Sequence, residues 1–155
     1  MTVAEKLVAL LKAQGLTCAT AESCTGGGVG SAITAVPGSS AVFAGGIISY
    51  ANEVKRDVLG VPADILQNVG AVSPETAAQM AEGARKLLKV DLAVSLTGIA
   101  GPDGGSDEKP VGLVWFGLAT KDGVRSEKAI FRGDRAQVRA QAVTHALGML
   151  TIAAT

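Results

Sequence analysis

The stretch from Thr20 to Gly30 constrains the chain more than any other. It reads Thr-Ala-Glu-Ser-Cys-Thr-Gly-Gly-Gly-Val-Gly, and it lies between an apolar run that predicts a strand and a second run that predicts a helix. Glycines at such a turn permit close approach to the backbone, and a helix start presents free N–H groups to an anion. Because Ser23 and Cys24 stand there, the stretch predicts a nucleophile beside anion donors. The alternative is a purely structural turn in which Thr25 caps the helix.

The composition excludes several classes of function. The 155 residues are typical of one domain, here 1–155, and 14 basic residues balance 14 acidic ones. A zero net charge with only five aromatic residues argues against a nucleic-acid partner. Two cysteines six residues apart and a single histidine do not match a structural metal site, so we expect reduced, buried thiols.

The hydropathy pattern indicates a cytoplasmic protein without a membrane partner. No apolar run reaches the ~18 residues of a membrane span, and the charged, amphipathic N-terminus does not resemble a signal peptide. The mean hydropathy of +0.35, with few charges, favours a buried interface in a homo-oligomer.

Helical and strand patterns alternate over two-thirds of the chain, and a hairpin and a closing helix follow. This order predicts an α/β fold, a single three-layer α/β/α domain with a mixed, mainly parallel sheet of about five strands. Asn52 and Ser73 are the predicted N-caps of the third and fifth helices. The predicted strands are 16–21, 46–50, 91–97, 111–120 and 124–131, and the predicted helices are 3–12, 29–36, 53–59, one beginning at Pro62, 74–88 and 135–152.

Three loops follow the carboxyl ends of the first three predicted strands, at 22–28, 50–55 and 97–105. In open α/β sheets, ligands bind beyond the carboxyl ends of parallel strands. If these strands are parallel, Ser23 shares one rim with Lys55 and with the glycine-rich third loop.

Lys55 is the candidate base. If Asn52 caps the helix, Lys55 lies in the first turn, where the helix dipole and burial would both lower its pKa. A lysine near neutrality can take the proton of a serine hydroxyl. The alternative is that Lys55 points into solvent. Tyr50 is either a packing residue or a hydroxyl that relays a proton between Ser23 and Lys55.

The competing catalytic arrangements are weaker. His145 falls well inside the last predicted helix, and neither Ser23 nor Cys24 has a histidine nearby in sequence, so we favour Ser23 with a lysine base. Arg132 and Arg135 flank Gly-Asp at a helix start and are either a phosphate clamp or surface charge.

The loop after the third predicted strand contains Asp103, Asp107 and Glu108. These carboxylates either hold Mg²⁺ or belong to a mobile lid. The glycine spacing does not match a dinucleotide-binding turn, and the chain contains no P-loop.

Six motifs in order resemble the C-terminal domain family of the competence/damage-inducible protein CinA. The resemblance covers residues 7–150. The motifs lie at 21–27, 49–55, 70–73, 97–105, 109–112 and 131–135. Longer family members carry an additional N-terminal nucleotide-processing domain, whereas this chain resembles the stand-alone form.

That resemblance implies an amidohydrolase that acts on a linear amide. The implied reaction converts nicotinamide mononucleotide to nicotinate mononucleotide and ammonia, a step in pyridine-nucleotide salvage, without a metal or other cofactor. The positions that match the family's Ser-Tyr-Lys site are Ser23, Tyr50 and Lys55. The alternatives are a nucleotide-binding module without turnover and a Ser-Lys hydrolase of another amide.

We expect the remaining rim residues to bind the substrate. Backbone N–H groups of Cys24 or Thr25, or of Gly101, would hold the oxyanion. The helix start at Gly26 and Gly27, with Arg132 or Arg135, would bind the phosphate, and Asp103 would face the ring or ribose. Thr97 and Gly98 complete the predicted substrate-binding rim.

Overall fold

The computed structural model describes residues 1–155 and contains six α-helices and one five-stranded sheet. The strands are β1 (Cys18–Glu22), β2 (Phe43–Ile48), β3 (Leu92–Gly98), β4 (Leu113–Thr120) and β5 (Gly123–Ile130). The helices are α1 (Val3–Gln14), α2 (Gly28–Thr34), α3 (Asn52–Asp57), α4 (Ala63–Asn68), α5 (Pro74–Leu88) and α6 (Arg135–Ala153), with a short 3-10 turn at Ser39–Ala41. Every predicted element is present.

The sheet is mixed, as predicted, with the order β2-β1-β3-β4-β5. Two pairings, β1 with β2 and β1 with β3, are parallel, and the two that join β3, β4 and β5 are antiparallel. Four of the five strands therefore run in the same direction. The loops that follow β1, β2 and β3 all leave the same edge of the sheet, as the sequence predicted.

The domain has the three predicted layers. One face of the sheet is covered by α1, α2 and α6, whose apolar side chains form the larger core with β1, β3 and β4. The other face is covered mainly by α5, with the segments around α3 and α4 at its side. Gly117 of β4 permits close packing of α5, because a Cβ at this position would lie 2.2 Å from the Ala77 carbonyl oxygen.

Helix α3 differs from its prediction in a way that matters for the site. Ala51, not Asn52, is the N-cap, and its side chain makes no capping bond. The extended chain after β2 lets the Ala51 carbonyl accept the first helical bonds, from the N–H groups of Val54 and Lys55 at 3.2 Å. Lys55 is thus the fourth of only six helical residues, so the predicted capping by Asn52 is wrong and the dipole argument loses its basis.

No helix in the structure combines the length and the hydropathy needed to cross a membrane.

Candidate active site

The loop between β1 and α2 carries the candidate nucleophile. Ser23 directly follows β1, its side chain is largely buried, and its N–H donates to the Leu96 carbonyl of β3 at 3.0 Å. Gly26 and Gly27 then take left-handed conformations with φ of 58° and 102°, which glycine adopts without strain. The loop is therefore fixed at its first residue by the sheet and turns sharply into α2.

Glu22 stabilises this turn through hydrogen bonds to its side chain. Its carboxylate is almost completely buried and accepts the Thr25 hydroxyl at 2.6 Å and the N–H groups of Val29 and Gly30 at 2.9 and 3.0 Å. A buried carboxylate that accepts three hydrogen bonds satisfies the free donors of the first turn of α2. The sequence analysis did not single out Glu22, although an acid at the end of an apolar strand, just before a glycine run, is a signal for it.

The alternative in which Thr25 caps α2 is wrong for this reason. Gly27, not Thr25, is the N-cap, because the Thr25 hydroxyl is used by Glu22. The N–H groups of Val29 and Gly30 in the first turn of α2 donate to the Glu22 carboxylate, so they are not free for a phosphate, and phosphate binding at Gly26 and Gly27 stays a prediction. A phosphate at this point would also lie beside a buried negative charge.

Lys55 contacts the candidate nucleophile directly. Its Nζ lies 3.0 Å from Ser23 Oγ, 2.6 Å from the Ser49 carbonyl oxygen and 3.1 Å from the Tyr50 carbonyl oxygen. Only 1% of the residue is exposed, so the alternative in which Lys55 points into solvent is wrong. The parallel pairing of β1 with β2 is what brings residues 32 positions apart into this contact.

Burial makes Lys55 a candidate base. It lowers the pKa of the Lys55 amine to about 8, and none of the ion pairs in the structure involves this residue. The sequence analysis predicted the direction of this shift but named the helix dipole as a contributing cause. The neutral amine can donate its two N–H groups to the two carbonyls and offer its lone pair to the serine hydroxyl, whereas the protonated form donates to all three oxygens.

Cys24 is less suited to act as the nucleophile. Its thiol is buried, and that burial raises the pKa to about 11, so the thiol stays protonated at neutral pH. Cys18 is buried in the core, where desolvation raises its pKa to about 12. Both cysteines are free, as expected.

Tyr50 lies at the mouth of the site. Its ring is mostly exposed, and its hydroxyl lies 3.4 Å from a guanidinium nitrogen of Arg135. Because Lys55 contacts Ser23 without an intermediary, the geometry requires no relay through the Tyr50 hydroxyl. The main-chain carbonyl of Tyr50 still orients the lysine.

The segment after β3 forms the other side of the site. The Thr97 hydroxyl is buried and donates to the Ala71 carbonyl at 2.8 Å, which joins the end of β3 to the segment before α5. Gly98 is the last residue of β3, and Arg135 donates to the Gly101 carbonyl at 2.8 Å. Asp103 is exposed beyond this point and makes no hydrogen bond.

The two candidate arginines behave differently. Arg135 contacts both the 97–105 loop and the Tyr50 hydroxyl, whereas the exposed Arg132 side chain makes no hydrogen bond. His145 is a helix residue, as expected, and its Nε2 lies 2.7 Å from a Glu127 carboxylate oxygen on β5. No three acidic, histidine or cysteine side chains gather in a metal-binding group, so Asp103, Asp107 and Glu108 form no such cluster.

Arg139 is a further residue that the sequence analysis missed. It extends from α6 to the nucleophile loop and donates to the carbonyl oxygens of Cys24 and Thr25, both at 3.1 Å. Because 114 residues separate it from Thr25, no local sequence pattern connects the two. The N–H groups of Cys24 and Thr25 donate to no acceptor in the protein.

A candidate nucleophile, a desolvated amine and free backbone donors thus converge at one edge of the sheet. A model of the CinA C-terminal domain family matches residues 1–153. The chain belongs to this family, as the six motifs indicated.

Individual relatives agree with this assignment. The chain is 50% identical to the nicotinamide-nucleotide amidohydrolase PncC of Escherichia coli K12 over 97% of its own length and 92% of that protein. It is 54% identical to a CinA-like protein of Parasynechococcus marenigrum over 86% of its length, but it spans only about a third of that protein and of similar longer relatives.

Solved structures match the fold. The competence/damage-inducible protein CihA of Agrobacterium tumefaciens superposes with a TM-score of 0.94 at 44% identity, covering 98% of this chain and 93% of that one. A CinA superfamily protein of Klebsiella pneumoniae gives the same TM-score at 35% identity.

Proposed function

We propose that the chain hydrolyses the carboxamide of nicotinamide mononucleotide to nicotinate mononucleotide and ammonia. The observation that carries the proposal is the buried Lys55 amine, 3.0 Å from Ser23 Oγ and without an acidic partner. The substrate class is taken from the Escherichia coli relative, which is named as a nicotinamide-nucleotide amidohydrolase and matches this chain over nearly its full length.

The first half of the reaction forms an acyl-enzyme. Neutral Lys55 takes the Ser23 proton as Oγ attacks the carboxamide carbon, and a free N–H of the nucleophile loop receives the negative charge on oxygen. The C–N bond then breaks, and the Lys55 ammonium returns the proton to the departing nitrogen, which leaves as ammonia. The nicotinoyl group remains esterified to Ser23.

The second half regenerates the enzyme. Lys55, neutral again, takes a proton from water as the water oxygen attacks the ester carbon. The ester bond breaks, the proton returns to Ser23 Oγ, and nicotinate mononucleotide is released. The same amine thus acts twice as base and twice as acid. A pKa of about 8 suits both roles, because it lies close to neutral pH.

Substrate recognition is assigned to the rim. Arg135 and Arg132 are the candidate phosphate ligands, and Arg135 is favoured because it already contacts Tyr50 and the 97–105 loop. The Tyr50 ring borders the opening, while Asp103 can balance the positive charge of the pyridinium. Gly26 and Gly27 remain candidates for contacts that need a close backbone approach.

The assembly and the compartment are also proposals. The mean hydropathy of +0.35 with few charged residues supports a homo-oligomer. We expect a cytoplasmic enzyme. Light scattering would test the assembly, because a monomer at micromolar concentration would exclude the oligomer.

The reaction is tested by ammonia release from nicotinamide mononucleotide with EDTA present. We expect release by the wild type and a loss of at least ~10⁴-fold in Ser23→Ala, as in other serine hydrolases. Equal release by both would exclude Ser23 as the nucleophile. No release by the wild type, with ligand binding retained, would instead favour a nucleotide-binding module.

A further inference from the structure

Arg139 binds two backbone carbonyls of the loop between β1 and α2, the loop that also carries the free N–H groups. The guanidinium donates through Nε to the Cys24 carbonyl and through Nη2 to the Thr25 carbonyl, each at 3.1 Å. Thr25 is itself buried. A planar guanidinium that binds two successive carbonyls fixes the orientation of the peptide groups to which they belong.

The two peptide groups differ in what their N–H groups do. The Thr25 carbonyl shares its peptide group with the Gly26 N–H, which donates to the Ser23 carbonyl at 3.1 Å. The Cys24 carbonyl shares its group with the Thr25 N–H, which has no acceptor in the protein. In a trans peptide the C=O and N–H bonds point in opposite directions, so fixing the Cys24 carbonyl also fixes the Thr25 N–H.

The direction in which the Thr25 N–H points follows from the layers of the fold. Arg139 projects from α6, which packs with α1 and α2 on one face of the sheet, whereas Leu59 and Val61, which follow α3, pack with α5 on the other face. A Cys24 carbonyl that points toward Arg139 therefore turns the Thr25 N–H away from α6. We place α3 on that side as well, and its Lys55 contacts the Ser23 hydroxyl.

We propose that Arg139 is a positioning residue whose hold on the Cys24 carbonyl aims the Thr25 N–H as the oxyanion donor. The inference rests on the proposed Ser-Lys hydrolysis and selects Thr25 among the candidate donors. Arg135 offers a contrast, because the Gly101 carbonyl that it binds belongs to the peptide group of Pro102, which has no N–H to orient.

The test uses Arg139→Gln and Arg139→Lys, with Arg85→Gln as the control. Arg85 also binds one backbone carbonyl, that of Asp91 at 3.0 Å, at a position remote from the site. We expect Arg139→Gln to lower kcat by ~10- to 100-fold with KM within threefold, because losing a whole oxyanion donor costs ~10²–10³. Arg139→Lys keeps the positive charge but loses the planar guanidinium that binds the two carbonyls in a fixed geometry, so we expect its kcat to stay at least ~fivefold below wild type.

A second readout does not depend on the substrate. Ser23 Oγ attacks the phosphorus of a fluorophosphonate, fluoride leaves, and the P=O oxygen of the tetrahedral adduct occupies the oxyanion position. Labelling of Ser23 in Arg139→Gln should slow by a factor similar to the loss in kcat, while Arg85→Gln should label at the wild-type rate. Circular dichroism at the assay temperature controls for folding.

The outcomes separate the two proposals. Unchanged kcat and labelling in Arg139→Gln would overturn the positioning role alone. A raised KM with normal kcat and labelling would also overturn it, because Arg139 would then bind substrate. A wild type that labels at Ser23 without releasing ammonia would overturn only the choice of substrate. A wild type that does neither would overturn both.

Discussion

The two sides of the candidate site are built differently. On the β1–α2 side, Glu22, Ser23 and Lys55 are buried. Lys55 contacts Ser23 and two backbone carbonyls, and Glu22 accepts from the Thr25 hydroxyl and two backbone N–H groups, all at 2.6–3.1 Å. On the other side, residues 103–108 are exposed and the Asp103 side chain makes no hydrogen bond. We propose that proton transfer belongs to the buried side, where an amine can be kept desolvated, and substrate recognition to the exposed side.

The largest expected loss of activity comes from a change on the buried side of the site. Lys55→Met removes the base that contacts Ser23, and we expect kcat to fall by at least ~10³-fold, as when other hydrolases lose a member of their catalytic group. Ammonia release under saturating substrate is the measurement. Lys86→Met, an exposed lysine of α5, is the matched control. Retention of more than a tenth of wild-type kcat in Lys55→Met would remove the lysine from the mechanism.

A second change on the buried side is expected to lower the stability of the fold. Glu22→Gln places an amide NH₂ in a buried pocket whose neighbours are three donors, and only the remaining amide oxygen can accept from them. We expect the free energy of unfolding to fall by about 2 kcal/mol, within the range for buried charged hydrogen bonds. Urea denaturation measures this change. Glu82→Gln on the surface of α5 is the control, and an equal, small effect of both would contradict the structural role of Glu22.

The dependence on pH distinguishes the desolvated amine from an ordinary one. The active form is neutral, so kcat/KM should rise about tenfold per pH unit below 8 and level off above about 9. Burial also lowers the pKa in the folded state below the unfolded value of 10.5, so this group makes stability rise with pH between about 8 and 10.5. A rate profile that is flat from pH 6 to 9 would contradict the assignment.

The exposed side should tolerate change. Asp103→Ala removes no contact, so we expect the free energy of unfolding to stay within about 0.5 kcal/mol of wild type. KM should rise by only a few-fold if Asp103 balances the pyridinium charge. Urea denaturation and steady-state kinetics measure the two quantities. A loss in kcat as large as that of Lys55→Met would contradict the assignment of proton transfer to the buried side alone.

The sequence could predict the parts of the site that follow from the order of the strands, but not those that depend on tertiary packing. Ser23 and Lys55 follow neighbouring strands, so a parallel sheet was enough to bring them together. The cause of the Lys55 pKa could not be predicted fully, since it depends on where α3 begins and on how deeply the side chain is buried. Arg139 acts from a helix remote in sequence, and only the tertiary structure shows which carbonyls it binds.

The most direct test of the central claim is to titrate the Lys55 amine by NMR with ¹³Cε-labelled lysine. The Lys55→Met variant assigns the resonance, and the Ser23→Ala variant shows whether the serine hydroxyl contributes. The structure predicts one lysine that titrates near pH 8, is absent in Lys55→Met and still titrates well below 10.5 in Ser23→Ala. A Lys55 resonance that titrates at or above pH 10.5 would show an ordinary charged lysine and would contradict its role as the base.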